Sequence, residues 1–378
     1  MSAQTACVIG AGIIGSWTAV HLAEAGIETT LIEQFPLPHD RGSSHGASRA
    51  FRFLGDEPLD RLFYSLDRWR ELELQAGDVL YQQTGLLNFG PAGDAYLEKH
   101  MTVLEDAGRP CTWLDGEEVA ARYPMLDYPP EWGAAWDPGG GILFADRCLR
   151  AVQSRFRALG GDVVTATAES VSTTTQGALL SLRTGGSGTP GTRIFDHAVV
   201  CAGPWTARLL PGIATHLRSL AIPVTYWRDP DGAHRAADGF PILFNARLTG
   251  VYALPSCEPH GHVKVLYHGG PESDPDKAGT GAFQPYIDKV ARYVQTHLPL
   301  LEHDRPARLE SCRYTMTPDS EPILDRFDEC VAVGCGFSGS GFKHAPATGH
   351  MLAALALGRE RTLPPGFVAD RYRLGRFG

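Results

Sequence analysis

The N-terminal segment alternates between apolar and polar positions in a way that predicts strand, turn, helix and strand. Cys7, Val8 and Ile9 form a short apolar run that glycines interrupt. Apolar positions then recur at helical spacing up to Gly26, a suitable C-terminal cap. A second apolar run ends on Glu33. This order is that of a β-α-β unit, which places parallel strands beneath a helix.

Later segments repeat this pattern or depart from it. Residues 196–210 predict a buried strand that ends at Gly203, and residues 328–358 predict a strand, a glycine-rich loop and a helix closed by Gly358. The other predicted elements are an amphipathic helix over 58–77, a strand over 80–90, a helix beginning at the capping box of Asp115 and Glu118, a helix over 147–161, a hairpin tip at 184–192, the strand 262–268 and a helix over 285–301.

These elements predict a mixed α/β (α+β) protein of two domains, which suits a chain of 378 residues. The glycine turns occur at the start, middle and end of the chain. We therefore expect a Rossmann-like domain made of the separate segments 1–84, 145–215 and 318–378. The insertions 85–144 and 216–317 are expected to form an antiparallel-sheet substrate domain.

Composition and charge narrow the possible partners. The net charge of −9 is spread along the chain without a basic tract, so we expect no nucleic-acid partner. No apolar run has the roughly 18 residues that a membrane helix needs. The N-terminus lacks a basic region of the secretory kind, and the last residues are not a peroxisomal signal. We expect a cytoplasmic monomer or small homo-oligomer.

The first glycine turn predicts dinucleotide binding. Gly10, Gly12 and Gly15 form G-x-G-x-x-G after a strand and before a helix, and Glu33 follows at the spacing of a ribose ligand. Glycines let a pyrophosphate approach the helix N-terminus, where the dipole favours negative charge. From this motif we expect cofactor contacts from Gly10, Gly12, Ile13, Ile14, Gly15, Glu33 and Gln34. The motif alone leaves NAD and FAD open.

Two features favour FAD over NAD. Residues 35–52 predict an 18-residue loop, and a loop of that length within a compact domain is usually functional. The two later glycine turns indicate a ligand that extends beyond one phosphate pair. The eight cysteines contain no C-x-x-C pair, and the spacing of Cys257, His260, His262 and His268 is not that of a structural zinc site. We expect no metal.

Several segments in the same order resemble the monomeric sarcosine oxidase family of FAD amine oxidases, most closely the sarcosine/L-pipecolate oxidases. They are LIEQFPLPHDRGSSHGASR, QTGLL, AGPWT, ESCRYTMTPDSEPILDR and GFSGSGFK. The resemblance implies that FAD is bound covalently, as an 8α-S-cysteinyl adduct on Cys312. The further cofactor contacts that it implies are Arg41, Ser44, His45, Ser48, Arg49, Gly203, Trp205, Phe337, Gly339, Gly341 and Lys343.

The resemblance also implies the substrate site. It assigns reaction with oxygen to Lys264, the substrate carboxylate to Arg52 and Lys343, and further active-site positions to His268, Arg49, Tyr252 and Tyr314. A thiolate at Cys312 needs a nearby cation, and Arg49 is a better candidate than Arg313, because a strand directs adjacent side chains to opposite faces. Ser340 stands where the family commonly has histidine. We expect this to enlarge the pocket and to favour a bulkier or cyclic amine such as pipecolate.

The sequence therefore predicts an FAD-dependent oxidase of a secondary α-amino or imino acid, with the amino acid and O2 as its small-molecule partners and H2O2 as a product. Two alternatives remain open. One is a flavin dehydrogenase of the same fold that uses another electron acceptor. The other is a dinucleotide-binding protein without catalysis.

Overall fold

The computed structural model describes residues 4–185, 189–277 and 282–378. The strands in chain order are β1 Thr5–Ile9, β2 Glu28–Glu33, β3 Ser48–Phe51, β4 Tyr81–Gln83, β5 Leu86–Pro91, β6 Thr112–Leu114, β7 Trp132–Asp137, β8 Gly141–Phe144, β9 Asp162–Thr165, β10 Thr167–Thr174, β11 Gly177–Arg183, β12 Gly191–Phe195, β13 His197–Val200, β14 Arg218–Arg228, β15 Ile242–Asn245, β16 Val251–Leu254, β17 His262–Tyr267, β18 Arg308–Met316, β19 Ile323–Asp328 and β20 Val331–Cys335. The α-helices are α1 Ile13–Glu24, α2 Leu59–Ala76, α3 Ala95–Asp106, α4 Gly116–Arg122, α5 Ala145–Ala158, α6 Thr206–Leu209, α7 Ala246–Thr249, α8 Gln284–His297 and α9 Ala345–Leu357.

Two large sheets organise the chain and confirm the mixed α/β class. The six-stranded sheet has the order β19-β20-β13-β1-β2-β9 and is parallel except for β19. The eight-stranded sheet has the order β18-β14-β17-β16-β15-β5-β7-β6. It is antiparallel except where β5 and β15 run parallel, because these strands belong to distant segments and no hairpin joins them.

Two three-stranded sheets complete the architecture. One has the order β3-β8-β4 and the other β10-β11-β12. Strands β11 and β12 pair antiparallel on either side of the predicted hairpin tip at 184–192, of which residues 186–188 lie outside the described part of the chain. The six-stranded sheet draws on the segments 1–84, 145–215 and 318–378, and the eight-stranded sheet on 85–144 and 216–317. The division into two folding units stays a prediction.

The structure corrects two predicted elements. The strand over 80–90 is two strands, β4 and β5, because Gly85 adopts φ 75° and lies so close to Trp136 that a Cβ would be 1.9 Å from that ring. The strands on either side join different sheets. The 18-residue loop ends at Ala47, after which β3 pairs with β8. Its last residues thus belong to a sheet, which holds Arg49 and its neighbours in place.

The predicted helices are observed, with one shorter than expected. Helix α2 is capped by Gly77 in the left-handed conformation, and α4 begins with the reciprocal capping box of Asp115 and Glu118. Helix α8 ends at His297 and does not reach residue 301. Pro299 follows two residues later, and the residue before a proline disfavours helical geometry.

Helix α1 is buried on nearly all sides. It packs against β1 and β2, α9 and α5 cover it, and the ring of Trp69 in α2 lies 5.3 Å from that of Trp17. Gly349 of α9 permits the close approach, because a Cβ there would lie 2.7 Å from the backbone carbonyl carbon of Trp17. This contact fixes the position of α1, whose N-terminus faces the cavity described below.

The described residues contain no helix that is long and apolar enough to cross a membrane. The cytoplasmic location and the oligomeric state stay predictions.

Replacing Gly349 with Ala is expected to destabilise the protein. The new methyl group meets backbone atoms, so α1 and α9 must separate, and overpacking of this kind costs about 1 to 3 kcal/mol. The gain in helix propensity, at most about 1 kcal/mol, offsets only part of this cost. Urea denaturation measures the effect, with Gly375→Ala as the control because no heavy atom lies within 4 Å of its Cβ position. An unfolding free energy at or above that of the parent protein would contradict this packing.

Candidate active site

A cavity lies where the parallel strands β1, β2, β13 and β20 end, against one face of the eight-stranded sheet. Ligands of open α/β sheets bind at the carboxyl ends of the strands, where the loops leave a crevice. The sheet facing this crevice contributes Ile222, Val224, Lys264, Leu266 and Cys312 to the wall. The cavity thus joins the glycine fingerprint to the β18 segment that contains Cys312.

The three fingerprint glycines have different structural roles. Gly10 adopts φ 105°, and a Cβ on it would lie 2.4 Å from the carbonyl oxygen of Cys201. A Cβ on Gly15 would lie 1.9 Å from the carbonyl oxygen of Gly10, so Gly15 lets α1 pack onto the turn and does not line the cavity. Gly12 does line it, beside Ser44. The backbone N–H of Ile13 donates to Ser44 Oγ at 2.9 Å.

Glu33 stands at the end of β2 and is 6% exposed. Its Oε2 accepts from the N–H of Ala11 at 2.9 Å and its Oε1 from the N–H of Phe35 at 3.0 Å, with His39 Nε2 at 3.4 Å. Burial raises the pKa of this carboxyl, but the hydrogen bonds from His39 and the two amides outweigh burial and hold the pKa below its usual range. Glu33 is therefore an anchored carboxylate at the edge of the cavity, where Gln34 also lies.

Cys312 lies on β18 with its Sγ 3.9 Å from Arg49 Nη2. The guanidinium of Arg49 is held by three backbone carbonyls: Nη1 donates to Ser48 O at 2.8 Å, and Nη2 donates to Ser43 O at 3.0 Å and to His45 O at 2.6 Å. Arg49 is therefore a fixed positive charge beside the thiol.

Arg313 takes the opposite direction from Cys312, as strand alternation predicts. Its Nη2 donates to the carbonyl of Lys277 at 2.9 Å. Arg49 is thus the cation that contacts Cys312, in agreement with the choice made from the sequence.

Lys264 on β17 is buried in the same sheet face, with 5% of its surface exposed. Its ammonium donates to the carbonyl of Ser48 at 2.7 Å. Burial lowers the pKa of Lys264 to about 7, and the charge of Arg49 acts in the same direction. An unperturbed lysine would stay charged far above neutrality, so burial brings the pKa of this group towards neutral pH.

Tyr252, Tyr314 and His268 form a cluster beyond Lys264. Tyr252 and Tyr314 line the cavity, and the rings of His268 and Tyr314 lie 5.2 Å apart. Gly339 inserts between them, because a Cβ at that position would be 2.6 Å from both rings. Burial, with the charges of Arg52 and Lys343, lowers the pKa of His268, so its ring is neutral at neutral pH.

Arg52 and Lys343 meet at one carboxylate, that of Glu57. Glu57 Oε1 lies 2.8 Å from Arg52 Nη2 and 2.8 Å from Lys343 Nζ. Lys343 is 5% exposed, and Arg52 also stacks on the ring of Phe244 at 4.6 Å. Burial would raise the pKa of Glu57, but the two cations outweigh burial and hold the pKa well below its usual range. These cations, which come from opposite ends of the sequence, contact the same carboxylate oxygen.

Other predicted residues also have definite positions. Trp205 and Gly203 line the cavity, and Trp205 Nε1 donates to Asp276 Oδ1 at 2.8 Å. His45 lines the cavity and contacts the carbonyl of Ser311 at 3.1 Å. Ile14, Phe337 and Gly341 lie on the wall as well.

Seven predicted site residues do not line the cavity itself: Gly15, Arg41, Ser48, Arg52, His268, Ser340 and Lys343. Ser340 Oγ donates to the carbonyl of Phe337 at 3.1 Å within its own loop, as serine hydroxyls commonly do in turns. Arg41 stacks on Phe35, 5.0 Å from the ring centroid, and lines a neighbouring charged cavity. The enlarged pocket inferred from Ser340 therefore stays a prediction.

Sequence reasoning missed Glu57, Glu310, Ser43 and the segment 166–168. Ala166 to Ala168 line the cavity because they follow β9 at the edge of the parallel sheet. Ser43 lies within the RGSSHG segment, so the motif could have indicated it. Glu57 has no motif, since its partner Lys343 is 286 residues away.

The histidines of the 260–268 stretch have separate partners. His262 Nδ1 contacts the carbonyl of His260 at 3.0 Å, and His268 packs against Tyr314. In the described ranges, no group of three or more His, Cys, Asp and Glu side chains is arranged to hold a metal ion.

Comparison with known proteins identifies the family. The model of the FAD dependent oxidoreductase family (DAO) matches residues 5–355. The peroxisomal sarcosine oxidase of Homo sapiens is 37% identical over 384 residues, covering 98% of this chain and 96% of that protein. The monomeric sarcosine oxidase of an Arthrobacter species is 28% identical, covering 93% and 91%. In fold, the L-proline dehydrogenase from P. horikoshii superposes with a TM-score of 0.82 at 21% identity, covering 100% and 98%.

These matches span nearly the whole chain and confirm both the resemblance found in the sequence and FAD as the cofactor. The chain belongs to the FAD dependent oxidoreductase family and is an FAD-dependent amine oxidoreductase.

Proposed function

We propose that this protein oxidises a secondary α-amino or imino acid with covalently bound FAD and passes the electrons to oxygen. The observation that carries the proposal is the carboxylate of Glu57 between Arg52 and Lys343, beside the tyrosines that line the cofactor cavity. The similarity to sarcosine oxidases, whose names refer to an N-methyl amino acid, supports the same substrate class.

The chain's own residues fit FAD along the length of the cavity. The N-terminus of α1, with Gly12 and Ser44, would hold the pyrophosphate, because the helix dipole favours an anion there and both residues line the cavity. Glu33 would accept hydrogen bonds from the ribose. When bound, FAD supplies a ring that accepts a hydride equivalent from the carbon next to the substrate nitrogen.

Cys312 is suited to covalent attachment of the flavin. Its Sγ lies on the cavity wall, and the fixed guanidinium of Arg49 is 3.9 Å away. No other described cysteine that lines the cavity has a comparable partner, because Cys201 is buried against α1 and burial raises its pKa to about 12.

Arg52 and Lys343 would bind the substrate carboxylate after Glu57 moves away. Glu57 shows that a carboxylate can contact both cations at hydrogen-bonding distance. Charge-assisted bonds of this type are worth about 1.5 to 3 kcal/mol each. The substrate carboxylate therefore has to compete with Glu57, and the ion pairs that Glu57 makes are lost on binding.

The charges around this site favour a neutral substrate amine. Arg52, Lys343 and Arg49 place positive charge near the tyrosine cluster, and His268 is neutral. Like charge and burial both lower the pKa of an amine. The substrate can therefore bind with a free lone pair on nitrogen, and no side chain has to act as general base.

A panel of secondary amino acids, including sarcosine, pipecolate and proline, tests the proposed function. We expect at least one to bleach the flavin anaerobically and to yield one H2O2 per turnover in air. Bleaching without peroxide would instead support a dehydrogenase with another acceptor. Failure of every amino acid to reduce the flavin would contradict the proposal.

Cys312→Ala tests the flavin linkage. We expect acid-precipitated parent protein to stay yellow and to carry roughly the mass of one FAD, whereas the variant releases its flavin into the supernatant. Cys335→Ala is the matched control, since Cys335 is buried and does not line the cavity. Flavin released by acid from the parent protein would contradict covalent attachment.

Substitutions of the two cations and of Glu57 should have opposite effects on the binding of a carboxylate ligand. Arg52→Met and Lys343→Met should each weaken binding of acetate about tenfold to a hundredfold, because each loses a charge-assisted bond. Glu57→Gln should strengthen it, by up to about tenfold, because the internal competitor has lost its charge. Flavin absorbance during titration gives the Kd. Weaker acetate binding in Glu57→Gln would show that Glu57 does not compete with the ligand for Arg52 and Lys343.

A further inference from the structure

One face of the eight-stranded sheet aligns several polar groups, of which Lys264 and Cys312 line the cofactor cavity and Glu310 lines the neighbouring charged cavity. In the ladder, Tyr226 of β14 is opposite Lys264 of β17, and Ile222 is opposite Cys312 of β18. Residues opposite each other in a sheet project to the same face, and so do residues two apart in a strand. Glu310, two residues before Cys312, therefore shares this face with Lys264, Tyr226 and Cys312.

Glu310 is a carboxylate held in a defined position. Its Oε2 accepts a hydrogen bond from Tyr226 Oη at 3.1 Å, and its Oε1 lies 2.6 Å from Arg308 Nη2. The side chain is 20% exposed. Both Glu310 Oε2 and Arg49 Nη1 lie 3.6 Å from the point where a Cβ on Gly46 would be, so this carboxylate faces the buried cations.

Lys264 lies on the other side of Tyr226, with its ammonium 6.0 Å from the ring centroid. Burial and Arg49 disfavour its charged form, whereas negative charge on Cys312, Glu310 or Cys257 favours it. The charged and titratable groups around Lys264 are Arg49 on β3, Tyr226 on β14, Glu310 and Cys312 on β18, and Cys257 after β16.

Covalent attachment of the flavin changes this balance. A thioether carries no charge, so Cys312 can no longer favour the ammonium once it is linked. Burial raises the pKa of Cys257, which therefore stays a neutral thiol. Among the described groups around Lys264, Glu310 then supplies the negative charge.

We propose that Glu310, anchored by Tyr226, is a positioning residue that keeps Lys264 in its ammonium form for the reaction of reduced flavin with oxygen. The inference rests on the proposed function, in which Lys264 promotes that reaction. Reduction of O2 to H2O2 takes two electrons and two protons; reduced flavin supplies both electrons and one proton, and solvent supplies the other. A fixed ammonium stabilises the negative charge that forms first on oxygen.

The test is the pH dependence of flavin reoxidation. The holoenzyme is reduced with one equivalent of dithionite without oxygen and then mixed with oxygenated buffer in a stopped-flow instrument, so the result does not depend on the substrate. The ammonium exists below the pKa of Lys264, so the rate should fall as the pH rises through it. Glu310→Gln should move the midpoint of this fall to lower pH by about 0.5 to 1 unit.

Further variants distinguish the effect of the charge of Glu310 from a general structural effect of the substitution. Tyr226→Phe should shift the midpoint in the same direction by less, because Glu310 keeps its charge but loses its anchor. Lys264→Met should slow reoxidation at least about tenfold and remove the fall with pH. Glu272→Gln is the matched control, an exposed carboxylate paired with Arg218 near the other end of β14, and should shift nothing.

Two results would overturn the inference about Glu310, and only the second would also overturn the role of Lys264. An unchanged midpoint in Glu310→Gln, with normal flavin content, would remove Glu310 from this role and leave the role of Lys264 intact. Parent-like reoxidation in Lys264→Met would overturn the oxygen role of Lys264 as well, and with it the inference about Glu310.

Discussion

Positive charge that is kept out of water beside the cofactor cavity is the constraint on which the rest of the site depends. An unpaired buried ammonium or guanidinium is costly, so each must have a partner. Backbone carbonyls hold Arg49 and Lys264, and the carboxylate of Glu57 holds Arg52 and Lys343. The first pair keeps its partners when ligands bind, because those partners belong to the backbone. The second pair has a side-chain partner, which in the proposed function a substrate carboxylate replaces.

The two sheets determine where these charges lie. The parallel sheet and α1 provide the phosphate end of the cavity, and the eight-stranded sheet provides a wall with Lys264 and Cys312 on one face. Strand β3 connects them, because Ser48 accepts from Lys264 and the adjacent Arg49 reaches Cys312. A shift of β3 would therefore change the contacts of both Cys312 and Lys264 on this wall of the cavity.

Local signals were sufficient for much of the fold and part of the site. The fingerprint, the caps of α2 and α4 and the alternation that separates Arg313 from Cys312 depend on neighbouring residues, so the sequence alone predicted them. The break at Gly85, the parallel pairing of β5 with β15 and the pairing of Glu57 with Lys343 depend on contacts between distant segments. No local pattern encodes these contacts. The direction of the Ser340 side chain also depends on the geometry of its loop, which the residue type does not determine.

A crystal structure of the holoenzyme with acetate would show most directly where the buried charges lie relative to the flavin. We expect continuous electron density from Cys312 Sγ to the flavin ring, Lys264 and Arg49 against that ring, and acetate between Arg52 and Lys343 with Glu57 displaced. A flavin whose ring lies away from this sheet face, or acetate bound elsewhere while Glu57 keeps both cations, would contradict this expectation.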